Sequence, residues 1–194
     1  MAHRASNYDD FALIYNRHWG PRYAANALEA LESLVLSRIP TDGRVLDLCC
    51  GAGQISRILA DRGYNVVGLD ASASLVGLAR RNAPSAHFEV ADATLFSSSD
   101  RFQAVISLND SLNHLLSIKD LKLAFLNVYK CMAPGGVFLF DLNLAHKYET
   151  SWAGSFSIVE EDAVCAVVAT RDTQQQLARF DAAVFFTDRG AVDA

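Results

Sequence analysis

The feature that most constrains the fold of this chain is an alternation of short apolar segments with helical patterns. The apolar segments are rich in β-branched residues and span residues 45–49, 66–69, 88–90, 102–108 and 137–142. Segments that are apolar on both faces are typical of parallel strands covered by helices on both sides. Helical spacing fills the intervals 54–62, 72–82 and 117–132, and the last ends at Pro134-Gly135-Gly136. The pattern therefore predicts an α/β fold, a Rossmann-like, doubly wound and mainly parallel sheet.

The two ends of the chain differ from this central part. Residues 23–38 have helical periodicity and precede a turn at residues 40–43. Beyond residue 143, segments 156–161, 164–171 and 177–187 resemble strands without helices between them, which predicts antiparallel pairing. We therefore expect an N-terminal lid and helical segment (1–40), an α/β core (41–145) and a C-terminal antiparallel β appendage (146–194).

Composition narrows the class of partner. The net charge of −5 argues against a nucleic-acid partner, because phosphate binding usually needs a basic face. The apolar runs are no longer than strands, so no membrane span or membrane partner is predicted. The cysteines at 49, 50, 131 and 165 lack paired metal-ligand spacing. We expect reduced thiols in a cytoplasmic protein and no metal site.

A glycine turn, Gly51-Ala52-Gly53, follows the first predicted strand. Glycines let the backbone approach a ligand closely, and the next helix begins with free N–H groups. Asp70 and Asp92 end the next two predicted strands, and ligands of open α/β sheets bind outside the carboxyl ends of strands. Asp70 lies about 20 residues after the turn, where an acid binds ribose hydroxyls. A shared nucleotide site is favoured over the alternative that each acid only caps a helix.

Two residues bear on which nucleotide binds. A dinucleotide fingerprint has a third glycine where this chain has Ser56, and Asp47 precedes the turn. An acid at that point would repel a pyrophosphate and would suit a ligand with a positive amino group. An NAD-dependent oxidoreductase is therefore the less favoured alternative.

The chain resembles the class I S-adenosylmethionine-dependent methyltransferases of the small-molecule type over roughly residues 8–145. The resemblance rests on four segments taken together, 45–54, 70–72, 91–93 and 121–142. The resemblance implies S-adenosylmethionine as cofactor, bound by residues 41–145. It places Asp47 and Gly51 near the methionine moiety, Asp70 at the ribose, and Asp92 with Ala93 at the adenine. The full set of expected cofactor contacts is Tyr15, Asp47, Cys49, Gly51, Gly53, Asp70, Ala71, Asp92, Ala93 and Asn109. Cys49 stands where the family usually has its first glycine, so a tighter pocket is expected.

A polar cluster, residues 107–114, follows the fourth predicted strand, where the transferred methyl group would lie. His114 and Asp110 are the candidate catalytic residues, as a general base for an alcohol or protonated amine. Tyr8, Ser111, His114 and Tyr148 are the expected substrate contacts. The alternative for the cluster is a capped loop. The aromatic N-terminal segment, Tyr8, Phe11, Tyr15 and Trp19, is expected to close over the cofactor as a lid, as in similar enzymes, and its alternative is core packing.

The predicted activity is methyl transfer to a nitrogen or oxygen of a small molecule, with a catalytically silent cofactor-binding module as the alternative. The family's usual sheet has seven strands, and residues 1–194 do not obviously contain the last ones. We expect a truncated chain, an end supplied by another subunit, or an appendage that replaces the missing edge. An uncovered fifth strand is prone to association. This predicts a homodimer through that edge or through the C-terminal strands.

Overall fold

The computed structural model describes residues 8–186. Its central feature is a five-stranded sheet of order β3-β2-β1-β4-β5, in which every neighbouring pair is parallel. The strands are β1 (Arg44–Leu48), β2 (Asn65–Asp70), β3 (His87–Val90), β4 (Phe102–Ser107) and β5 (Met132–Phe140). The predicted doubly wound α/β sheet is confirmed.

Three helices connect strands at the intervals that the periodicity predicted: α3 (Gln54–Asp61), α4 (Ala73–Asn82) and α5 (Ile118–Cys131). Two helices, α1 (Ala12–His18) and α2 (Gly20–Leu34), precede β1, and 3₁₀ turns lie at Leu36–Arg38 and Ser111–His114. The side chains of Ser72 and Ser117 accept N–H groups of the first turns of α4 and α5, so both act as N-caps. The helix predicted at 23–38 begins earlier, at Gly20 with Pro21 in the first turn, and gives way to the 3₁₀ turn.

The core lies on both faces of the sheet, because successive residues of β1 point to opposite sides. Val45 packs on one face with Leu31 of α2 and Leu59 of α3. Leu46 packs on the other face with Val128 of α5. The central strands β1 and β4 are thus buried on both sides, which explains their largely apolar sequences.

The entry to β5 differs from the expectation of a plain helix stop. Residue 102 pairs with Met132 and residue 104 with Val137, so Pro134-Gly135-Gly136 forms an irregularity inside the strand. Gly135 has a φ of +75°, a conformation that glycine adopts without strain. The strand therefore starts five residues earlier than predicted, directly after α5.

The chain divides into two compact units at residues 142 and 143. The described part of the second unit contains α6 (Ala145–Ser151), which no periodicity predicted, and β6 (Gly154–Val159), β7 (Ala163–Asp172) and β8 (Leu177–Phe186). These strands form an antiparallel sheet of order β6-β7-β8, which confirms the predicted antiparallel appendage. Within residues 8–186, no helix has the length and apolar character needed to cross a membrane.

Candidate active site

The turn after β1 is held in left-handed backbone conformations. Cys49, Gly51 and Gly53 have φ angles of 62°, 56° and 78°. A Cβ on Gly51 would lie 3.3 Å from Cε1 of Tyr15, and a Cβ on Gly53 would lie 2.9 Å from Cβ of Ala79. The turn is therefore packed between α1 and α4, and the two glycines are needed for both conformation and space. Cys49 adopts its left-handed conformation without being glycine, which costs conformational energy.

Asp70, the last residue of β2, braces this turn. Its Oδ2 accepts the N–H of Gly51 at 2.9 Å, and its Oδ1 accepts the N–H of Ser72 at 2.9 Å. Burial raises the pKa of this carboxyl, while the backbone N–H groups act in the opposite direction. Each carboxylate oxygen can accept a second hydrogen bond, so the same group can also receive ribose hydroxyls.

Asp47 lies inside β1, one residue before the strand ends. It is 3% exposed, and its Oδ2 accepts the hydroxyl of Ser56 at 2.6 Å. Burial raises the pKa of Asp47 from 3.8 to about 6, and the hydrogen bonds from Ser56 oppose that rise. From the sequence, Ser56 was interpreted only as a missing glycine. Its role as the partner of Asp47 had no local signal.

A small cavity brings together four of the predicted cofactor contacts, Tyr15, Asp47, Cys49 and Asn109, and Gln54 also lines it. Burial raises the pKa of the Cys49 thiol to about 12, and the negative charges of Asp70 and Asp47 add to that effect. The thiol is therefore protonated at neutral pH, and this wall of the cavity carries an uncharged sulfur.

The residues predicted at the adenine lie beyond β3. Asp92 follows that strand by two residues, is exposed, and accepts both the N–H and the hydroxyl of Thr94 at 2.7 Å. Ala93 is buried in the core cluster that contains Leu46, while Ala71 is exposed directly after Asp70. Asp92 also acts electrostatically on the Cys49 thiol, so it lies at the same edge of the sheet. Its contact with adenine stays a prediction.

The segment after β4, residues 108–111, has a strained backbone that hydrogen bonds hold in place. Asn109 and Asp110 have φ angles of 62° and 52°, which Asn and Asp tolerate better than most residues. The two carboxylate oxygens of Asp141 accept the N–H of Asn109 at 3.0 Å and the N–H of Asp110 at 2.9 Å. Ser111 donates its hydroxyl to the carbonyl of Leu108 at 2.8 Å. Sequence reasoning missed the role of Asp141, because its partners lie about thirty positions earlier.

Two predicted substrate contacts, Tyr8 and His114, lie next to each other. The Tyr8 hydroxyl lies 3.3 Å from Nε2 of His114, and the two rings are edge to face. Burial lowers the pKa of His114, which favours a neutral imidazole at neutral pH. Burial raises the pKa of Tyr8 and Tyr15, so both phenols keep their protons. Tyr148 belongs to the second unit, where its ring packs on Trp152 at 5.3 Å, and its substrate role stays a prediction.

The aromatic N-terminal segment is tied down by polar contacts that the sequence did not reveal. Oδ1 of Asp9 accepts the Ser72 hydroxyl at 2.6 Å and the N–H of Ser74 at 3.0 Å. Oδ1 of Asn16 accepts the side-chain amides of Gln54 and Asn82, each at 2.7 Å. The segment thus packs against the turn and α4, as core packing would require, and it also lines the cavity through Tyr15.

Comparison with known proteins gives a consistent picture. Residues 45–136 match the family model of a methyltransferase domain. The chain is 34% identical over 129 residues to YqeM of Bacillus subtilis, a protein named as a methyltransferase, covering 64% of this chain and 52% of that protein. It is also 34% identical over 111 residues to the dTDP-3-amino-3,6-dideoxy-alpha-D-glucopyranose N,N-dimethyltransferase of Streptomyces fradiae, covering 57% and 44% of the two chains. The chain thus spans about half the length of the curated relatives it matches.

Among solved structures, DesVI of Streptomyces venezuelae aligns with a TM-score of 0.70 at 22% identity, covering 94% of this chain and 84% of that one. This likeness shows that the two proteins share a fold. The residues matched by the family model run from β1 into β5, and they include the glycine turn, Asp47 and Asp70. The resemblance noted in the sequence is thereby confirmed. Residues 45–136 are assigned to a methyltransferase domain of the class I S-adenosylmethionine-dependent type.

Proposed function

We propose that this protein transfers a methyl group from S-adenosylmethionine to an amine nitrogen of a small molecule. The observation that carries the choice of an amine is the charge near the two buried phenols. Within residues 8–186, the charged groups that act on the hydroxyls of Tyr8 and Tyr15 are Asp70 and Asp110, both acidic. Such surroundings favour an acceptor that arrives with a positive charge and disfavour one that carries carboxylates.

The residues present fit the cofactor. The buried Asp47 lines a cavity and can pair with an amino group, and the left-handed Gly51 leaves room where a side chain would meet Tyr15. Asp70 keeps acceptor capacity for ribose hydroxyls. When bound, the cofactor supplies an activated methyl on a sulfonium, which is the difficult part of the chemistry.

The tasks left to this chain are orientation, exclusion of water and removal of a proton. An ammonium has no lone pair, so it must lose a proton before it attacks. His114 is half-buried and favours the neutral form, which lets its imidazole accept that proton. Asp110 lies in the same segment and supplies the negative charge that attracts the acceptor. We expect its strained conformation, braced by Asp141, to keep the carboxylate in one place.

The names of the relatives support an amine without deciding it. Two of them, from Streptomyces fradiae and Streptomyces venezuelae, are named as N,N-dimethyltransferases of amino-sugar nucleotides. Another, from Variovorax paradoxus, is named as trans-aconitate 2-methyltransferase and is 31% identical over 115 residues. The acidic groups near Tyr8 and Tyr15 favour the first class of acceptor over a tricarboxylate. The NAD-dependent alternative loses its support with the family assignment.

The test is methyl transfer from methyl-labelled S-adenosylmethionine to matched acceptors. We expect label in amino-sugar nucleotides and none in the corresponding hydroxy sugars or in trans-aconitate. Label found only in the tricarboxylate would contradict an amine acceptor. Binding of S-adenosylhomocysteine without turnover on a broad metabolite extract would favour the catalytically silent cofactor-binding module.

The role of His114 has a separate test. His114→Asn should lower kcat and abolish the acidic limb of the pH–rate profile, because it removes the proton acceptor.

A further inference from the structure

The pair formed by Asp47 and Ser56 is the most enclosed polar contact at the site. Asp47 is 3% exposed and Ser56 is 0% exposed, and the hydroxyl of Ser56 donates to Oδ2 of Asp47 at 2.6 Å. The backbone N–H of Ser56 also acts on the carboxylate. Ser56 is the third residue of α3, so this N–H belongs to the first turn, where the helix itself offers no acceptor. A single residue thus supplies the hydrogen-bonded hydroxyl and an N–H group whose electrostatic effect on the carboxylate is favourable.

The other groups around Asp47 do not favour its charge. The titratable groups near it are Asp70 at the end of β2, the thiols of Cys49 and Cys50, and the phenol of Tyr15 on the wall of the same cavity. Burial and the negative charge of Asp70 both favour the protonated form of Asp47, and only Ser56 is found to oppose them. Without a cofactor, the charge state of this carboxyl therefore depends on one hydroxyl and one N–H.

We propose that Ser56 is a positioning residue for cofactor recognition: it keeps the Asp47 carboxylate ionised and oriented so that it can pair with the amino group of the methionine moiety. The inference rests on the proposed function, since it assumes that S-adenosylmethionine is the ligand. It predicts that Ser56 controls the pH range in which the amino-acid part of the cofactor is recognised. A residue needed only for packing would change affinity equally at every pH.

The experiment compares two ligands by calorimetry, S-adenosylhomocysteine and 5′-methylthioadenosine, which lacks the amino-acid part. In the wild-type protein, we expect affinity for S-adenosylhomocysteine to be constant at alkaline pH and to fall below the pKa of Asp47. In Ser56→Ala the midpoint of this fall should move upward by about one pH unit, which makes binding about twofold weaker at about pH 7, about tenfold weaker at about pH 5 and nearly normal at about pH 8.5. Binding of 5′-methylthioadenosine should show neither the pH dependence nor the effect of the substitution.

Two further variants complete the test. Ser56→Thr keeps the hydroxyl and should restore the wild-type midpoint, while Ser37→Ala removes an exposed hydroxyl that donates to the carbonyl of Ser33, away from the site, and should leave the midpoint where it is. An equal loss of S-adenosylhomocysteine affinity at all pH values in Ser56→Ala would overturn the inference. So would an unmoved midpoint, or an equal shift for 5′-methylthioadenosine. Failure of the wild-type protein to bind either ligand would overturn the proposed function itself.

Discussion

Asp47 carries a cost in the protein without cofactor. An ionised carboxylate is disfavoured when it is buried, and here the compensation comes from Ser56 alone among the interactions found at this group. We propose that a positive amino group entering the cavity offsets this cost. Asp47 would then be destabilising and functional at the same time, which is a common compromise at active sites.

The stability of the protein should therefore depend on pH through Asp47. Its pKa is about 6 in the folded protein against an ordinary 3.8, so the folded state binds more protons between these values. Stability then falls as the pH rises through that window, and the charge costs on the order of 3 kcal/mol at pH 7. We expect Asp47→Asn to be more stable by about 2 kcal/mol at pH 7.5 and to lose most of this gain at about pH 5, in urea unfolding at both pH values. A variant less stable than wild type at pH 7.5 would contradict this account.

Asp70 has a structural role in the turn and a proposed role in binding ribose. Asp70→Ala leaves the N–H groups of Gly51 and Ser72 without their acceptor and removes the proposed ribose contact. We expect weaker binding of S-adenosylhomocysteine by about 1.5–3 kcal/mol, together with a loss of stability of about 1–3 kcal/mol. Calorimetry and urea unfolding measure the two effects separately. Unchanged affinity would remove Asp70 from the ribose site while leaving its role in the turn.

At the scale of elements, the site depends on how closely α3 and α4 approach. Gly53, the N-cap of α3, has a left-handed conformation, and a Cβ there would meet both Cα and Cβ of Ala79 on α4. Tyr15 of α1 lies close to the same turn, near Gly51. The glycines thus decide how the helices pack as well as how the backbone turns.

Two glycine substitutions separate these effects from the general preference of helices for alanine. Gly53→Ala should destabilise the protein by about 2–4 kcal/mol, because it adds a clash to a strained backbone. Gly77→Ala, in the middle of α4 with no atom within 4 Å of the new Cβ, should stabilise it by about 0.5–1 kcal/mol. Urea unfolding of both variants gives the comparison, and equal changes in the two would argue against close packing at Gly53.

At the scale of the whole molecule, β5 is the strand that most affects association. Within residues 8–186 it pairs with β4 and with no second strand, and Phe140 at its end is 37% exposed. An edge of this kind offers unpaired backbone groups to another chain. The homodimer predicted from the sequence stays a prediction, and this edge is one of the two places where it would form.

Sedimentation velocity over a range of concentrations tests that prediction. We expect association that increases with concentration, and we expect Phe140→Lys to reduce it because a charge on an edge strand opposes pairing. Tyr129→Lys, which places a charge on the strongly exposed Tyr129 of α5, serves as the control away from the strand. A monodisperse monomer at all concentrations would count against association.

The sequence by itself determined the local features of this protein. Apolar runs such as 102–108 indicated buried parallel strands, and Ser72 and Ser117 marked the starts of α4 and α5, because these signals depend on neighbours within one turn or one strand. The positions of Gly51, Asp70 and Asp47 in the order of the chain were enough to indicate the family.

The tertiary structure decided which polar groups meet. Ser56 reaches Asp47 because α3 folds back on β1, Asp141 reaches Asn109 because β4 and β5 are neighbours in the sheet, and Asp9 reaches Ser72 because α1 packs on α4. Periodicity reports how deeply a residue is buried, but a hydrogen bond depends on positions and directions that only the packed elements provide. The partners of the buried charge, and with them the chemistry of the site, are therefore a property of the folded chain.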